Sequence, residues 1–315
     1  MTQPFTDAQA AFPFVIAQGR NIETTIYKKR YPTFNYADIV PIVTEGQPWA
    51  IGTTFFTVDT VGEAKILSGA GTDVPFVSSK RDQASSDFWM IGAGWRWTLE
   101  EINQAALYGI DLSATDATSA SDAVERRLYF TFMRGQTEKR VTGFVNSPLV
   151  QKFTATQTAQ AATPAQAAAM VNDLLSTVRT NSNEVEWADT IALPPAVMRR
   201  WSTQSQGAGD GTLNVLEYIR RNNIYTSENN GAQLRIVSTR ELAAAGDGGT
   251  GRMVAYRYDK EVLRGHLPLP RRVLDARQAS LMGYEQGIIA RTGGTEIRLP
   301  GAMAYLDNVS PAPAA

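Results

Sequence analysis

Two extended runs, separated by a long polar stretch, constrain this chain's fold more than any other feature. The first, "TTFFTVDTVGEAKIL" from Thr53 to Leu67, is rich in Thr, Val and Phe with partial alternation. The second, "DFWMIGAGWRW" from Asp87 to Trp97, alternates more cleanly: Trp89, Ile91, Ala93, Trp95 and Trp97 share one face. On its other face Gly92 and Gly94 leave room for a second backbone to approach. Between the runs lies "SGAGTDVPFVSSKRDQASS", Ser68 to Ser86, whose Gly, Ser, Asp and Pro residues suit a wide loop. The simplest reading is a long β-hairpin over residues 49–97 with this stretch as its tip.

Such a hairpin needs support. At ~3.3 Å per residue, the first run projects roughly 40 Å, and an isolated two-stranded ribbon is marginal in water. Its tryptophans require burial somewhere, at about 25 cal/mol per Å². The expected solution is an arm laid across a second copy of the chain, with Lys65, Phe76, Lys80, Arg81 and Trp89 at the contact. Lys80-Arg81 reads equally as a solvated pair or as an anchor to a neighbour's acidic residues, since an exposed ion pair contributes little. Residues 1–48 form a comparable arm. Tyr27, Tyr31, Phe34 and Tyr36 are interrupted by Pro32 and Pro41, so the arm cannot form its own core. Those aromatics must pack on another surface, of this subunit or of a neighbour.

Composition narrows the function classes. A chain of 315 residues with 43% hydrophobic and 19% charged residues can bury a substantial core. With 30 basic and 31 acidic residues it lacks the surplus of a nucleic-acid coat, so any DNA contact is expected to be nonspecific. There is no cysteine, which excludes disulfides and thiolate chemistry and suits a reducing cytoplasm. The one histidine, His266, excludes His-cluster metal sites and most catalytic triads, and no cofactor or metal is expected. No apolar run reaches the ~20 residues that cross a bilayer, and no charged segment precedes the short apolar patch near the start, so no membrane role is expected.

From residue 98 the pattern becomes regular. Thr98 and Glu101 form a capping box for a helix with Leu99, Ile102, Ala106 and Ile110 on one face. A second helix, about 116–133, has acidic residues early and Arg126-Arg127 late, as the helix dipole favours. "GFVNSP", Gly143 to Pro148, reads as a turn that helps close a domain over 98–154. Residues 155–270 read as an α/β domain. Thr163 caps a helix with Pro164 at its first position, burying Met170, Leu174, Leu175 and Val178. Strands "TIALP", "AQLRIVST" and "RMVAYRYD" alternate with helices "PAVMRRWST" and "GDGTLNVLEYIRRNN". Residues 271–315 close the chain with a last strand in "GGTEIRLPGAMAYLDNV".

Chemistry-bearing motifs are weak. "SGAGTDV" and "GDGGTGR" lack the order of a phosphate loop, and neither opens a helix after a strand. Glu100-Glu101, Glu184, Glu186 and Asp307 could supply an acid–base pair, but Glu100-Glu101 are explained by a helix's first turn. His266, in "RGHLPLPRR", reads as a surface or packing residue of a connector.

The order of parts resembles the major capsid proteins of tailed bacteriophages with the Hong Kong 97-type fold. "WTLEEINQAALYGIDL" is similar to that family's helix after the hairpin, "GFVNSP" to its turn after the spine helix, and "RTGGTEIRLPGAMAYLDNV" to its closing strand. The resemblance implies an α+β fold with an N-terminal arm, an extended hairpin called the E-loop, a peripheral domain with a spine helix, and an α/β axial domain. It implies a non-enzymatic shell subunit of the virion, assembled in the host cytoplasm as hexamers and pentamers around double-stranded DNA. Portal, scaffolding and decoration proteins are the partners it suggests. The loops holding Gly207, Asp210 and Gly248 are then expected near the capsomer centre. Some relatives join a hairpin Lys to a neighbour's Asn, for which Lys65, Lys80 and Asn308 are the matching residues. Rival readings are a nanocompartment shell around protein cargo, a soluble carboxylate-dependent hydrolase, and a tail or decoration component.

Overall fold

A computed structural model describes residues 34–61, 78–108, 112–205 and 213–312, all within the unit Phe34–Ala315. The chain enters along a helix that it later builds. Ile39 and Val40 are buried, and a short strand β1 (Ile42–Val43) follows. The next two strands form the ribbon: β2 (Gly52–Val61) runs antiparallel to β3 (Ser78–Asp87), from Gly52 opposite Asp87 to Val61 opposite Ser78. The second ribbon strand is therefore the polar "SSKRDQASSD", which sequence reading assigned to the tip. The tryptophan-rich run is a separate strand, β4 (Trp89–Thr98), and leaves the ribbon altogether.

Thr98 then caps α1 (Leu99–Tyr108): its backbone N–H and its hydroxyl both donate to Glu101 Oε2, at 2.8 and 2.9 Å. Of the apolar face expected of this helix, Leu99 and Ala106 are exposed and Ile102 is half-buried, while Ile110 lies outside the described residues. The spine helix α2 (Leu112–Arg134) buries Val124, Leu128, Phe132 and Met133 and ends at the positive-φ Gly135, where a Cβ would lie 2.2 Å from the Val141 carbonyl. A two-residue ribbon, β5 (Gly135–Gln136) with β6 (Val141–Thr142), leads into the expected turn at Gly143. Asn146 fixes that turn by accepting from Gly143 N at 2.7 Å and donating to Arg134 O at 2.9 Å. Strand β7 (Gln151–Thr154) follows.

The α/β portion matches its sequence pattern closely. Helix α3 (Pro164–Asn181) carries the full Thr163–Gln166 capping box and buries Ala167, Val171, Leu174, Leu175 and Val178, with Met170 only half-buried. Then come β8 (Thr190–Leu193), α4 (Pro195–Thr203), α5 (Val215–Arg221), α6 (Ile224–Glu228), β9 (Arg235–Ser238) and β10 (Gly251–Tyr256). The expected connector around His266 is instead two strands, β11 (Leu263–His266) and β12 (Leu269–Val273). Strands β13 (Arg277–Ser280) and β14 (Gly283–Thr292) complete a hairpin. The expected closing strand is broken by a 3₁₀ turn at Pro300–Ala302 into β15 (Gly294–Ile297) and β16 (Met303–Ser310).

Three sheets organise these strands. A five-stranded sheet runs in the order β7–β16–β10–β8–β9. Its two faces feed two different cores. Val254, Tyr256 and Tyr305 join Leu128, Phe132 and Phe144 on one side. Met253, Ala255 and Ala304 join Val171, Leu175, Val178 and Trp201 on the other. Every residue of β10 is buried, so its alternation sorts side chains between two cores rather than between core and water. A second sheet pairs β14 along its whole length with β4, Thr292 opposite Trp89 and Gly283 opposite Thr98, and on its other edge with β12 and β13. Gly92 and Gly94 sit where β14 comes closest: a Cβ at 92 would be 3.0 Å from Ile288 O. The third sheet is β1–β11–β15.

Candidate subunit interface

The ribbon β2–β3 pairs with no other strand among the described residues. Phe56 is 66% exposed, and beside the root Trp49 and Ile51 are 65% and 83% exposed. These are large apolar side chains left exposed on and beside an edge strand, the kind of surface that protein contacts use.

The root itself is firmly held. Phe88, the residue linking β3 to β4, donates its backbone N–H to Ile51 O at 2.7 Å. The Arg298 guanidinium lies 4.4 Å from the Phe55 ring centre, within cation–π range. Arg291 donates to Pro48 O at 2.7 Å and lies 5.6 Å from the Trp49 ring centre. Beneath these contacts Glu296 receives Arg298 Nε on one oxygen and meets His266 Nε2 on the other, each at 2.6 Å. Burial pushes the Glu296 carboxyl up, but the hydrogen bonds and charges of His266 and Arg298 outweigh it and hold the group below the usual carboxylate range.

A second ionic site braces the loop that contains Gly248. Arg252 and Asp307 are both buried. Arg252 Nε and Nη2 donate to the two Asp307 oxygens at 2.5 and 2.7 Å, and Nη1 donates to Val145 O at 2.6 Å. Asp307 also accepts from Asp247 N at 3.2 Å. One bidentate pair thus ties the turn after the spine helix, two central strands and the Asp247–Gly249 loop together. Sequence reading passed over Arg252; its signal was a lone cation inside a run of strand residues otherwise uncharged as far as Tyr256.

The residues expected at the interface are distributed as follows. Tyr27, Tyr31, Lys65, Phe76, Gly207 and Asp210 lie outside the described residues. Lys80 and Arg81 occupy β3 opposite Asp59 and Val58, on the ribbon rather than at its tip. Phe34 and Tyr36 pack on their own chain: Phe34 lies 5.4 Å from Tyr129, and Tyr36 stacks 5.1 Å from Phe132. Tyr36 also donates to Glu125 at 3.1 Å, and burial, reinforced by that carboxylate, pushes its hydroxyl well up. Trp89 is half-buried at the start of β4, off the ribbon. Gly248 has φ 70° and open space where a Cβ would stand. Asn308, with φ 62°, donates to Ala155 O at 3.1 Å.

The candidate acid–base residues are not brought together. Glu101 is engaged by Thr98, whose backbone N–H and hydroxyl hold its carboxyl low. Glu184 pairs with Arg179 at 3.5 Å, Glu186 with Arg257 at 2.5 Å, and Asp307 with Arg252. A groove of about 340 Å³ between α3 and β7 is lined by apolar residues such as Phe153, Met170 and Leu174 and by polar ones such as Gln157 and Gln166, with Asp173 its one ionisable side chain. Among the described residues no group of three or more His, Cys, Asp or Glu could hold a metal ion, and no helix is long and apolar enough to cross a membrane.

A family model described as Major capsid protein matches residues 62–309. The fold is similar to the capsid of Myoviridae Phage XM1, at 17% identity and TM-score 0.78, covering 92% of this chain and 97% of that one. It is also similar to the capsid of a native GTA particle, at 11% identity and TM-score 0.64, covering 97% and 99%. A virus-like particle from Pyrococcus furiosus matches at 14% identity and TM-score 0.51, covering 96% and 99%. No curated protein matches the chain in sequence.

Proposed function

The chain belongs to the major capsid protein family, and from that premise we propose that its copies assemble as hexamers and pentamers of an icosahedral phage head around double-stranded DNA. The fold is the α+β Hong Kong 97-type fold of phage capsid subunits. The observation that carries the assembly reading is the ribbon, two strands without a third among the described residues, with Trp49, Ile51 and Phe56 exposed. A neighbouring copy supplies the missing surface. The role is binding rather than turnover: contacts modest in each copy sum over a lattice, and reversible steps let errors anneal. The Asp247–Gly249 loop, braced by the Arg252–Asp307 pair, faces the capsomer centre, where a Gly-rich loop adapts to five or six neighbours. Assembly takes place in the host cytoplasm, with portal, scaffolding and decoration proteins as partners and nonspecific contact with packaged DNA.

Expression of the full chain followed by negative-stain imaging tests this reading. Closed shells are expected, and with the phage's packaging proteins present they should protect DNA from nuclease. A small defined oligomer at every concentration would overturn the proposal. Shells that retain protein cargo under packaging conditions would instead favour the nanocompartment reading, which the likeness to a virus-like particle keeps in view.

A further inference from the structure

Two phenyl rings at the ribbon's root rest on the same buried carboxylate through two different side chains, Arg298 and His266. Phe55, on β2, lies under Arg298, and Phe88, between β3 and β4, lies 5.6 Å from the His266 ring. Arg298 and His266 each meet one oxygen of Glu296, whose side chain is 10% exposed. The seat under Phe88 is tight. A Cβ at Gly293 would stand 2.6 Å from Phe88 and 3.2 Å from the His266 Cβ. We propose that Glu296 sets the direction in which the ribbon leaves the body, acting through Arg298 on Phe55 and through His266 on Phe88.

Leverage gives this arrangement its importance. Strand β2 has 10 residues, and at ~3.3 Å each they reach roughly 30 Å. A tilt of about 10° at the root then moves the far end by about 6 Å, beyond the ~3 Å reach of a hydrogen bond. With no third strand to correct it among the described residues, the ribbon inherits its aim from the root. Glu296, Arg298 and His266 are thus positioning residues, and they hold the ribbon where a neighbour can receive it. This last step alone rests on the shell reading.

The absence of cysteine makes the test direct. Spin labels are placed on Ser79→Cys, near the far end of β3, and on Lys139→Cys, exposed beside the spine helix. The distance between them is measured in the unassembled full-length chain. A single narrow distribution is expected, at least twofold broader in Glu296→Gln, Arg298→Gln and Phe55→Leu but unchanged in Phe55→Tyr, which keeps the ring. Equal widths in all variants overturn the proposal. Should Glu296→Gln fail to fold, the Phe55 pair decides alone, because that ring is only half-buried. Assembly of the unlabelled variants, followed by light scattering, should slow at least tenfold where the distribution broadens; no slowing overturns the link to assembly. An unaltered chain that never forms shells sinks the shell reading, and the label distances then decide the role of Glu296 by themselves.

Discussion

The five-stranded sheet and the two-stranded ribbon are built from the same backbone geometry and could hardly be stabilised more differently. In the sheet, β10 has a strand on either side and a core on either face, so all its residues are buried. In the ribbon each strand has one partner among the described residues, and the Phe56 side chain is 66% exposed. The contrast teaches that order in this chain has two sources. The sheet is ordered by the chain's own cores, at about 1.5–3 kcal/mol for each large apolar side chain buried. The ribbon has a root held by Arg291, Arg298 and Ile51, and in the proposed shell a neighbouring copy supplies the rest.

Substitutions should separate the two regimes. The largest effect is expected at the centre of the sheet. Asp307→Ala leaves the buried Arg252 with only the exposed Asp247 carboxylate, 3.9 Å away, and should cost about 3 kcal/mol, read as a shift in the denaturation midpoint. A loss below about 1 kcal/mol would mean that the pair is not braced as the geometry implies. Glu296 should give the next signal, through pH. Its folded carboxyl lies below the ordinary value near ~4.3, so the stability it adds is present above that pH and is lost as pH falls through the lower folded value. Glu296→Gln should therefore flatten the decline in unfolding midpoint between about pH 5 and pH 3; an unchanged slope would show the carboxyl is not held low. Thr163→Ala removes the cap of α3 and should cost about 1 kcal/mol by the same denaturation measurement. The smallest effect belongs to the ribbon. Phe56→Ser should change the stability of the unassembled chain by less than about 0.5 kcal/mol, yet raise the concentration at which copies begin to associate. A large loss in the lone chain would erase the distinction between the regions.

What the sequence disclosed follows the same division. The capping box at Thr98–Glu101 and the N-cap at Thr163 are local chemistry, legible within four residues, and both stand in the structure, where Gln166 completes a second box. The alternation of Trp89 to Trp97 was also legible, because β4 has one covered face. The pairing of β4 was not. Its partner is β14, far along the chain, and an alternating pattern says which face is covered without saying by what. Strand β3 was missed for a deeper reason. "SSKRDQASSD" has no core-facing side to write into its sequence, so a real strand carried the composition of a loop. The buried pairs were half legible. Glu296 and Arg298 fall on one face by their spacing, but the His266 that completes the site comes from β11, which read as a connector.

The position of β16 carries a consequence for timing. It lies between β7 and β10, yet it is the last of the five to be synthesised. Until residues 303–310 have cleared the ribosome, a gap separates β7 from the other three strands, and Tyr305 and Leu306 are missing from their respective cores. A half-made subunit therefore lacks a closed five-stranded sheet, and neither core is complete until the last strand is in place.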